Sequence, residues 1–257
     1  MPAATQPPRN KDRIAGLAKG LRLLEAFDSA HTRMTITEAA RRIDVSLAAA
    51  RRCLLTLCEL GYMQTDGKHF WLGHGALRIS YAYAASTRLP RLVQPALDSL
   101  SERSRDSASL AVLHEGAVVI AARSTARRTF RVGLGVGSRL PLHCSAAGRV
   151  LLADLPGAQA RKLLASTQRE AFTPRTVTDL RGLMQGLQEC RARGWAACDE
   201  EIELGVRSIA VPLGDASGQT VAALTISTRA ERMTTGEMVA AYLPAMRRTQ
   251  EWVRARL

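Results

Sequence analysis

Aromatic side chains are scarce in this 257-residue chain, at 4%. That leaves too few rings for the stacking platforms on which proteins hold single-stranded nucleic acid. Cysteine is nearly as sparse. Cys53, Cys58, Cys144, Cys190 and Cys198 are odd in number, scattered and without a CxxC pair. This fits reduced thiols in a cytosol better than a disulfide framework or a structural zinc site. Neither a metal nor an organic cofactor is expected. No apolar run approaches the roughly 20 residues needed to cross a bilayer. The opening MPAATQPPRNKDR lacks the apolar core of a signal peptide. Residues 1–13 read instead as a disordered leader dominated by Pro and polar side chains. The expectation is a cytoplasmic protein with no membrane partner.

Walker loops, HExxH and GxSxG are also missing. His143, Cys144 and Asp199 have the residue types of a Cys–His–Asp site. Neighbours on a strand point to opposite faces, so His143 is badly placed to activate Cys144. An enzyme with a helical regulatory domain is therefore the distant alternative, and no catalytic residue is assigned. Acidic residues are in short supply, and the formal net charge is +13. A polyanionic partner is plausible on that ground. The excess divides as +6 over residues 1–89 and +7 over residues 90–257, so charge alone locates nothing.

What the chain does contain is TITEAARRIDVSLAAARRCLLTLCELGYMQTDGKHFWL, from Thr35 to Leu72. Thr35 and Glu38 form a capping box. Ile36, Ala39, Ala40 and Ile43 then fall on one helical face. Asp44-Val45 makes a turn, with Asp44 tolerant of a left-handed backbone. Ser46 caps a second helix that buries Ala50, Cys53 or Leu54, Leu57 and Leu60 and stops at Gly61. Tyr62–Thr65 and Lys68–Leu72 flank Asp66-Gly67, a two-residue hairpin signal. Helix, turn, helix and hairpin describe a winged helix-turn-helix, a reader of double-stranded DNA. Thr35, Ser46, Leu47, Ala48, Arg51, Arg52 and Lys68 are the expected contacts. An unrelated helical hairpin with a solvated arginine pair is the blander alternative.

Before this unit, Ile14, Leu17, Leu21, Leu24 and Phe27 form an apolar stripe on a first helix. After it, His74 to Leu89 reads as a connecting helix that breaks at Pro90. From Pro90 the pattern is a helix to about Arg105 and a hairpin of Ser109–His114 and Ala117–Arg123 around Glu115-Gly116. A strand over Thr129–Leu134 and a glycine-rich loop entering a helix at Ser145 follow. Helices at 157–165 and 179–193 and strands at 195–199, 207–213 and 220–227 come next. A last helix follows the Thr234/Glu237 capping box. The boundaries are thus 1–13, 14–73, 74–89 and 90–257, and the class is α+β.

Four stretches, LAKGLRLLEAF, MTITEAARRIDVSLAAARRCLLTLCELGYM, VGSRLPLHCSAAGRVLLA and DEEIELGVRSIAVPL, resemble the IclR family of bacterial transcription regulators. They look closest to the branch controlling protocatechuate, 4-hydroxybenzoate and β-ketoadipate catabolism. The likeness spans about Ile14 to Arg256 and departs at Leu47, where a polar or basic residue is more usual. It implies an N-terminal winged helix-turn-helix and a C-terminal GAF-like effector-binding domain. It also implies dimers or tetramers and a small carboxylate effector, aromatic or β-ketoadipate-like. By the resemblance the effector pocket draws His143, Ser145, Ala146 and Gly148 from one segment. Asp199, Glu201, Arg207, Ser208 and Ile209 come from a second, and Ser227 from the last strand. Backbone N–H groups at a helix start suit a carboxylate, and Arg207 can pair with one unless Glu201 or Glu203 takes it. Asp199 can equally cap a turn. Between Gly116 and Ala153 stand six arginines, Arg123, Arg127, Arg128, Arg131, Arg139 and Arg149, and no acid. That field favours an anionic effector; a solvated basic face is the plainer reading. A regulator of an unrelated pathway and an architectural DNA binder without a ligand are the other possibilities.

Overall fold

The computed structural model describes residues 13–125 and 134–257. The leader to residue 12, nearly all of the strand expected over Thr129–Leu134, and Arg127, Arg128 and Arg131 lie outside these residues. The chain divides into two compact units, one ending at Ser86 and the other starting at Thr87.

The first unit runs α1 (Ala15–Glu25), β1 (Met34–Thr35), α2 (Ile36–Arg42), α3 (Leu47–Glu59), β2 (Met63–Thr65), β3 (His69–Leu72) and α4 (Ala76–Ser86). Its core joins Leu23, Met34, Ala39, Leu54, Met63 and Phe70. Local signals set the helix ends. The Glu38 carboxylate accepts from the Thr35 amide at 2.7 Å, and Thr35 Oγ1 accepts from the Glu38 amide at 3.3 Å. Asp44 takes φ +52° between α2 and α3. Ser46 Oγ accepts from the Ala49 amide at 3.3 Å. Gly61, at φ +76°, ends α3. The result is the winged helix-turn-helix.

Four details differ from the sequence expectation. The hairpin turn takes in three residues, Asp66 to Lys68, with Thr65–Phe70 the last pair of β2 with β3; Asp66 Oδ1 draws in the amides of Lys68 and His69 at 3.0 and 2.7 Å. A third strand, β1, pairs with β3. In α1, Leu23 and Ala26 are buried, whereas Ile14, Leu17 and Leu21 are 70%, 59% and 47% exposed. Periodicity identifies a face but not what covers it. Leu60 of the second helix is likewise exposed, at 57%.

The junction after the wing is tightly fastened. Gly73 N donates to Tyr62 O at 2.8 Å, and Gly75 N to Gly61 O at 3.2 Å. A Cβ on Gly75 would meet Gly61 O at 2.2 Å, so this backbone approach requires glycine. Arg78 of α4 donates to Leu60 O at 3.0 Å and covers the Tyr62 ring at 4.8 Å. No residue of α4 is buried.

The second unit opens with α5 (Arg88–Ser104). The break falls at Thr87, not Pro90. Pro90 sits in the first turn of α5, where its missing N–H has no intrahelical partner to lose. Next come β4 (Ser107–His114), β5 (Ala117–Thr125), β6 (Arg139–Leu140), α6 (Ala146–Asp154), α7 (Gly157–Ser166) and α8 (Leu180–Arg193). They are followed by β7 (Ala196–Asp199), β8 (Val206–Gly214), β9 (Thr220–Arg229) and α9 (Thr235–Arg254). The strands form one antiparallel sheet in the order β6-β5-β4-β9-β8-β7. Glu115 and Gly116, at φ +47° and +74°, make the β4–β5 turn.

Alternation gives the sheet two unlike faces. Leu110, Ile209, Val211, Leu224 and Ile226 pack with α5 and α9. Ala111, Ala196, Cys198, Ala210 and Ala223 lie on the other face and pack with α6, α7 and α8. Helices on both sides of an antiparallel sheet give the α+β, GAF-like domain.

At one end of the first face Asp106 is fully buried. It pairs with Arg232 at 2.5 Å and accepts from the Tyr242 hydroxyl at 3.2 Å. Burial raises the Asp106 carboxyl against the pull of Arg232. Burial and the Asp106 charge push Tyr242 up to about 12. Removing the cation alone strands a buried carboxylate. Arg232→Met should therefore cost about 3 kcal/mol, the low end for a broken buried pair because the guanidinium is partly solvated. Adding Asp106→Asn should recover more than half of that loss. Urea midpoints of the two single variants and the double variant check it; additive losses would contradict it.

Candidate DNA-contact surface and effector site

The first turns of α3 present Leu47, Ala48, Arg51 and Arg52 to solvent. The ion pairs of this unit, among the described residues, engage His31, Arg33, Arg42 and His69, which leaves Arg51 and Arg52 without carboxylate partners there. Arg42 is tied to Asp28 and donates to Ala26 O at 2.6 Å, so it braces α2 against the end of α1. Ser46 and Thr35 spend their hydroxyls on helix caps. Lys68 is exposed at the wing. Beside it Asp66 is held down to about 2 by the amides of His69 and Lys68 and so stays ionised. Arg33 stacks 4.2 Å over Trp71 of β3, adding a basic group to the wing. Sequence reasoning missed Arg33, because its place depends on the unforeseen β1–β3 pairing.

In the second unit the start of α6 is a closed structure. Ser145 Oγ accepts from the Gly148 amide at 3.1 Å and donates to Pro141 O at 2.5 Å. A Cβ on Gly148 would lie 2.2 Å from Leu142 O, so glycine lets the preceding loop pass. Ala146 is buried in the core beneath. His143 is 2% exposed; its Nε2 lies 3.0 Å from Glu170 O and its ring stacks on Phe172 at 6.2 Å. Arg149 binds the buried Glu201 at 2.6 Å and donates to Ala197 O at 3.0 Å and His143 O at 3.3 Å. Glu201 also accepts from the Val177 amide at 3.3 Å. Arg149 and Glu201 are thus the frame that holds α6, β7 and the 170s segment together. Arg139, by contrast, is exposed, 4.0 Å from Glu115.

Below this frame the α6-side face of the sheet changes character. Ser107, Ser227 and Ser208 form one cross-strand row, and Ser109, Thr225 and Ala210 the next. Thr125 and Arg123 stand opposite Ser107 and Ser109 on β5. Arg123 donates from Nη2 to Ser107 Oγ at 2.9 Å and from Nε to Thr125 Oγ1 at 3.2 Å. Hydroxyls therefore occupy positions that are alanines further along the same face.

Of the residues expected at the effector pocket, His143, Ser145, Ala146, Gly148, Ser208 and Ser227 come together on this side. Asp199, Arg207 and Ile209 do not. Alternation turns them to the α5/α9 face, where Ile209 is core. Arg207 spends its donors on Asp199 and Met233 O, at 2.5 and 2.8 Å, and on Ala230 O at 2.5 Å. Its main carboxylate partner is Asp199, its register neighbour on β7, with Glu200 at 3.7 Å, and not Glu201 or Glu203. Ser107, Ser109, Arg123 and Thr225 were not singled out as pocket residues. The signal was there in Ser-Ala-Ser-Leu-Ala, small polar residues at period two inside an apolar strand. The Cys144 thiol, pushed up to about 12 mainly by burial, holds no nucleophilic thiolate.

Comparison with known proteins agrees with both units. Residues 16–67 match the family model described as IclR helix-turn-helix domain, and residues 81–254 match that of Bacterial transcriptional regulator IclR C-terminal. The Pca regulon regulatory protein of Pseudomonas putida is 40% identical over 236 residues, 91% of this chain and 81% of that one. The p-hydroxybenzoate hydroxylase transcriptional activator of Acinetobacter baylyi is 38% identical over 258 residues, 98% and 95% of the two chains. A crystal structure of an IclR homolog from Microbacterium hydrocarbonoxydans, complexed with 4-hydroxybenzoate, superposes with a TM-score of 0.75 at 25% identity. It covers 94% of this chain and 98% of that one.

Phosphate contacts release counterions, so each lost contact lowers the salt dependence of binding by about one unit of slope. Arg51→Ala and Arg52→Ala should each weaken promoter binding, with a shallower log K against log salt plot. Titrations at several salt concentrations measure this; wild-type slopes in both variants would remove these residues from the interface.

Proposed function

The chain belongs to the IclR family of bacterial transcriptional regulators, and from that premise we propose that it controls aromatic-acid catabolism in response to a small carboxylate bound in its C-terminal unit. It is a DNA-binding regulator and not an enzyme. The working division is residues 14–73 for DNA, 74–89 as linker and 90–257 for the effector, in a cytoplasmic protein. Arg51, Arg52, Leu47, Ala48 and Lys68 meet duplex DNA, with Thr35 and Ser46 setting the helices that present them. Leu47 is 55% exposed, and an apolar side chain there suits a thymine methyl group.

The observation that carries the effector reading is the row Ser107–Ser227–Ser208, tied to the start of α6 through Cys198, the register neighbour of Ser208, whose thiol donates to Cys144 O. His143, Ser145, Ala146 and Gly148 roof the site, and Ser208, Ser227 and Thr225 floor it. Glu201 acts through Arg149, and Asp199, Arg207 and Ile209 support the opposite face. Floor hydroxyls can donate to a carboxylate or accept from a phenol. The names of the two relatives and the 4-hydroxybenzoate held by the homolog favour an aromatic acid over an aliphatic one.

A thermal-shift series with protocatechuate, 4-hydroxybenzoate and β-ketoadipate tests this. An effector at 100 times its Kd adds about 2.7 kcal/mol, and Ser208→Ala with Ser227→Ala should remove most of the shift. Silence from all three acids would overturn the pathway, and a response confined to unrelated acids would reassign it.

Self-association is part of the same reading. Leu17, Leu21, Leu60 and Ile79 line an open groove of about 690 Å³ in the first unit. Leu77 and Tyr81 of α4 are 66% and 77% exposed. A second copy covering these faces would present paired recognition helices to paired half-sites. Leu17→Asp with Leu21→Asp should lower the mass measured by light scattering; an unchanged mass would place the interface elsewhere.

A further inference from the structure

We propose that Arg123 holds the effector carboxylate, so that an aromatic acid lies across the strands with its opposite hydroxyl at Ser208. This rests on the reading of the α6-side face as the effector site and assigns the ligand its direction there.

Arg123 differs from three other half-buried or partly buried arginines of this unit. Arg149 faces Glu201, Arg207 faces Asp199 and Arg232 faces Asp106. Among the described residues, the Arg123 guanidinium binds only the hydroxyls of Ser107 and Thr125 and has no carboxylate partner. The surrounding sequence from Gly116 to Ala153 holds no acid that could supply one. Burial lowers its pKa from the ordinary arginine value, a sign of a cation drawn out of water without compensation. An incoming anion provides that compensation, and the planar fork matches a carboxylate in two parallel hydrogen bonds.

The direction follows from register. Arg123 reaches Ser107, whose row continues to Ser227 and Ser208. Ser107 and Ser208 are two strand spacings apart, roughly 10 Å. That span accommodates a ring with a carboxylate at one end and a hydroxyl at the other. Ser227 lies midway, under the ring. A short aliphatic acid held at Arg123 would leave Ser208 unengaged.

Calorimetric titration of the full chain with 4-hydroxybenzoate and its neutral analogue 4-hydroxybenzamide, at one salt concentration, tests the assignment. Wild type should bind the acid about 10- to 100-fold more tightly than the amide, as expected for a charge-assisted pair. In Arg123→Gln the two ligands should come within about 3-fold of each other, with the amide little affected. Arg123→Lys should keep part of the preference, and its ratio decides the matter if the Gln variant binds neither ligand. A wild-type acid-to-amide ratio retained in both variants would overturn the role of Arg123 while leaving the effector reading intact. Wild type binding neither compound would overturn this assignment of a hydroxybenzoate across the strands, while the three-acid thermal-shift series decides the effector reading separately.

Discussion

Ile226 and Ser227 are joined by one peptide bond and belong to different worlds. The first is sealed between the sheet, α5 and α9; the second lies on the hydroxyl-bearing side. Strand geometry forces this, since successive side chains leave opposite faces. The C-terminal unit depends on that constraint. Its strands supply an apolar layer to one side, ending in the Asp106 and Arg207 ion pairs, and a graded surface to the other, alanine at one end and serine and threonine at the other. A slip of one residue in β9 would exchange the two sets, placing hydroxyls in the core and Leu224 in the site. The long β8–β9 and β4–β9 pairings, held on both edges of β9, make such a slip costly.

The roof of the site is governed by a buried ion pair. Arg149 and Glu201 come from an α-helix and a loop 52 residues apart, and each carries additional hydrogen bonds to backbone. A pair taken out of water is a poor source of net stability but a strict specifier of geometry when every donor is used. Here it fixes the distance between the α6 start and β7. Its neighbours Cys144 and Cys198 are raised by the same burial, and Cys198 donates to Cys144 O at 2.9 Å. The thiols behave as packing groups.

What the sequence disclosed and what it withheld follow one physical division. Events decided within four residues were legible. Both capping boxes, the Ser46 cap, the helix start at Ser145, and the left-handed Asp44, Gly61 and Gly116 all stand as their side chains dictate. Events decided by distant partners were not. Pro90 has the same composition whether it breaks a helix or sits in its first turn. Leu17 and Leu21 have the periodicity of a buried face, yet none of the described residues buries them. Arg207 was an open choice among nearby acids until pairing set it beside Asp199. The site suffered most, because an effector pocket is assembled from faces, and face follows from register. Ser208 and Ser227 were reached through family likeness, Arg123 only as one of six arginines in a basic stretch, and Ser107 only through the sheet.

The glycine contact between Gly75 and Gly61 has a mechanical meaning. With the Gly73–Tyr62 and Arg78–Leu60 hydrogen bonds it welds the foot of α4 to the end of α3, leaving no slack loop at the joint. α4 is 11 residues long, about 16 Å at 1.5 Å per residue. Its foot therefore keeps a fixed place against the end of the recognition helix, and a change in the direction of α4 has to strain the Gly61–Gly75 contact.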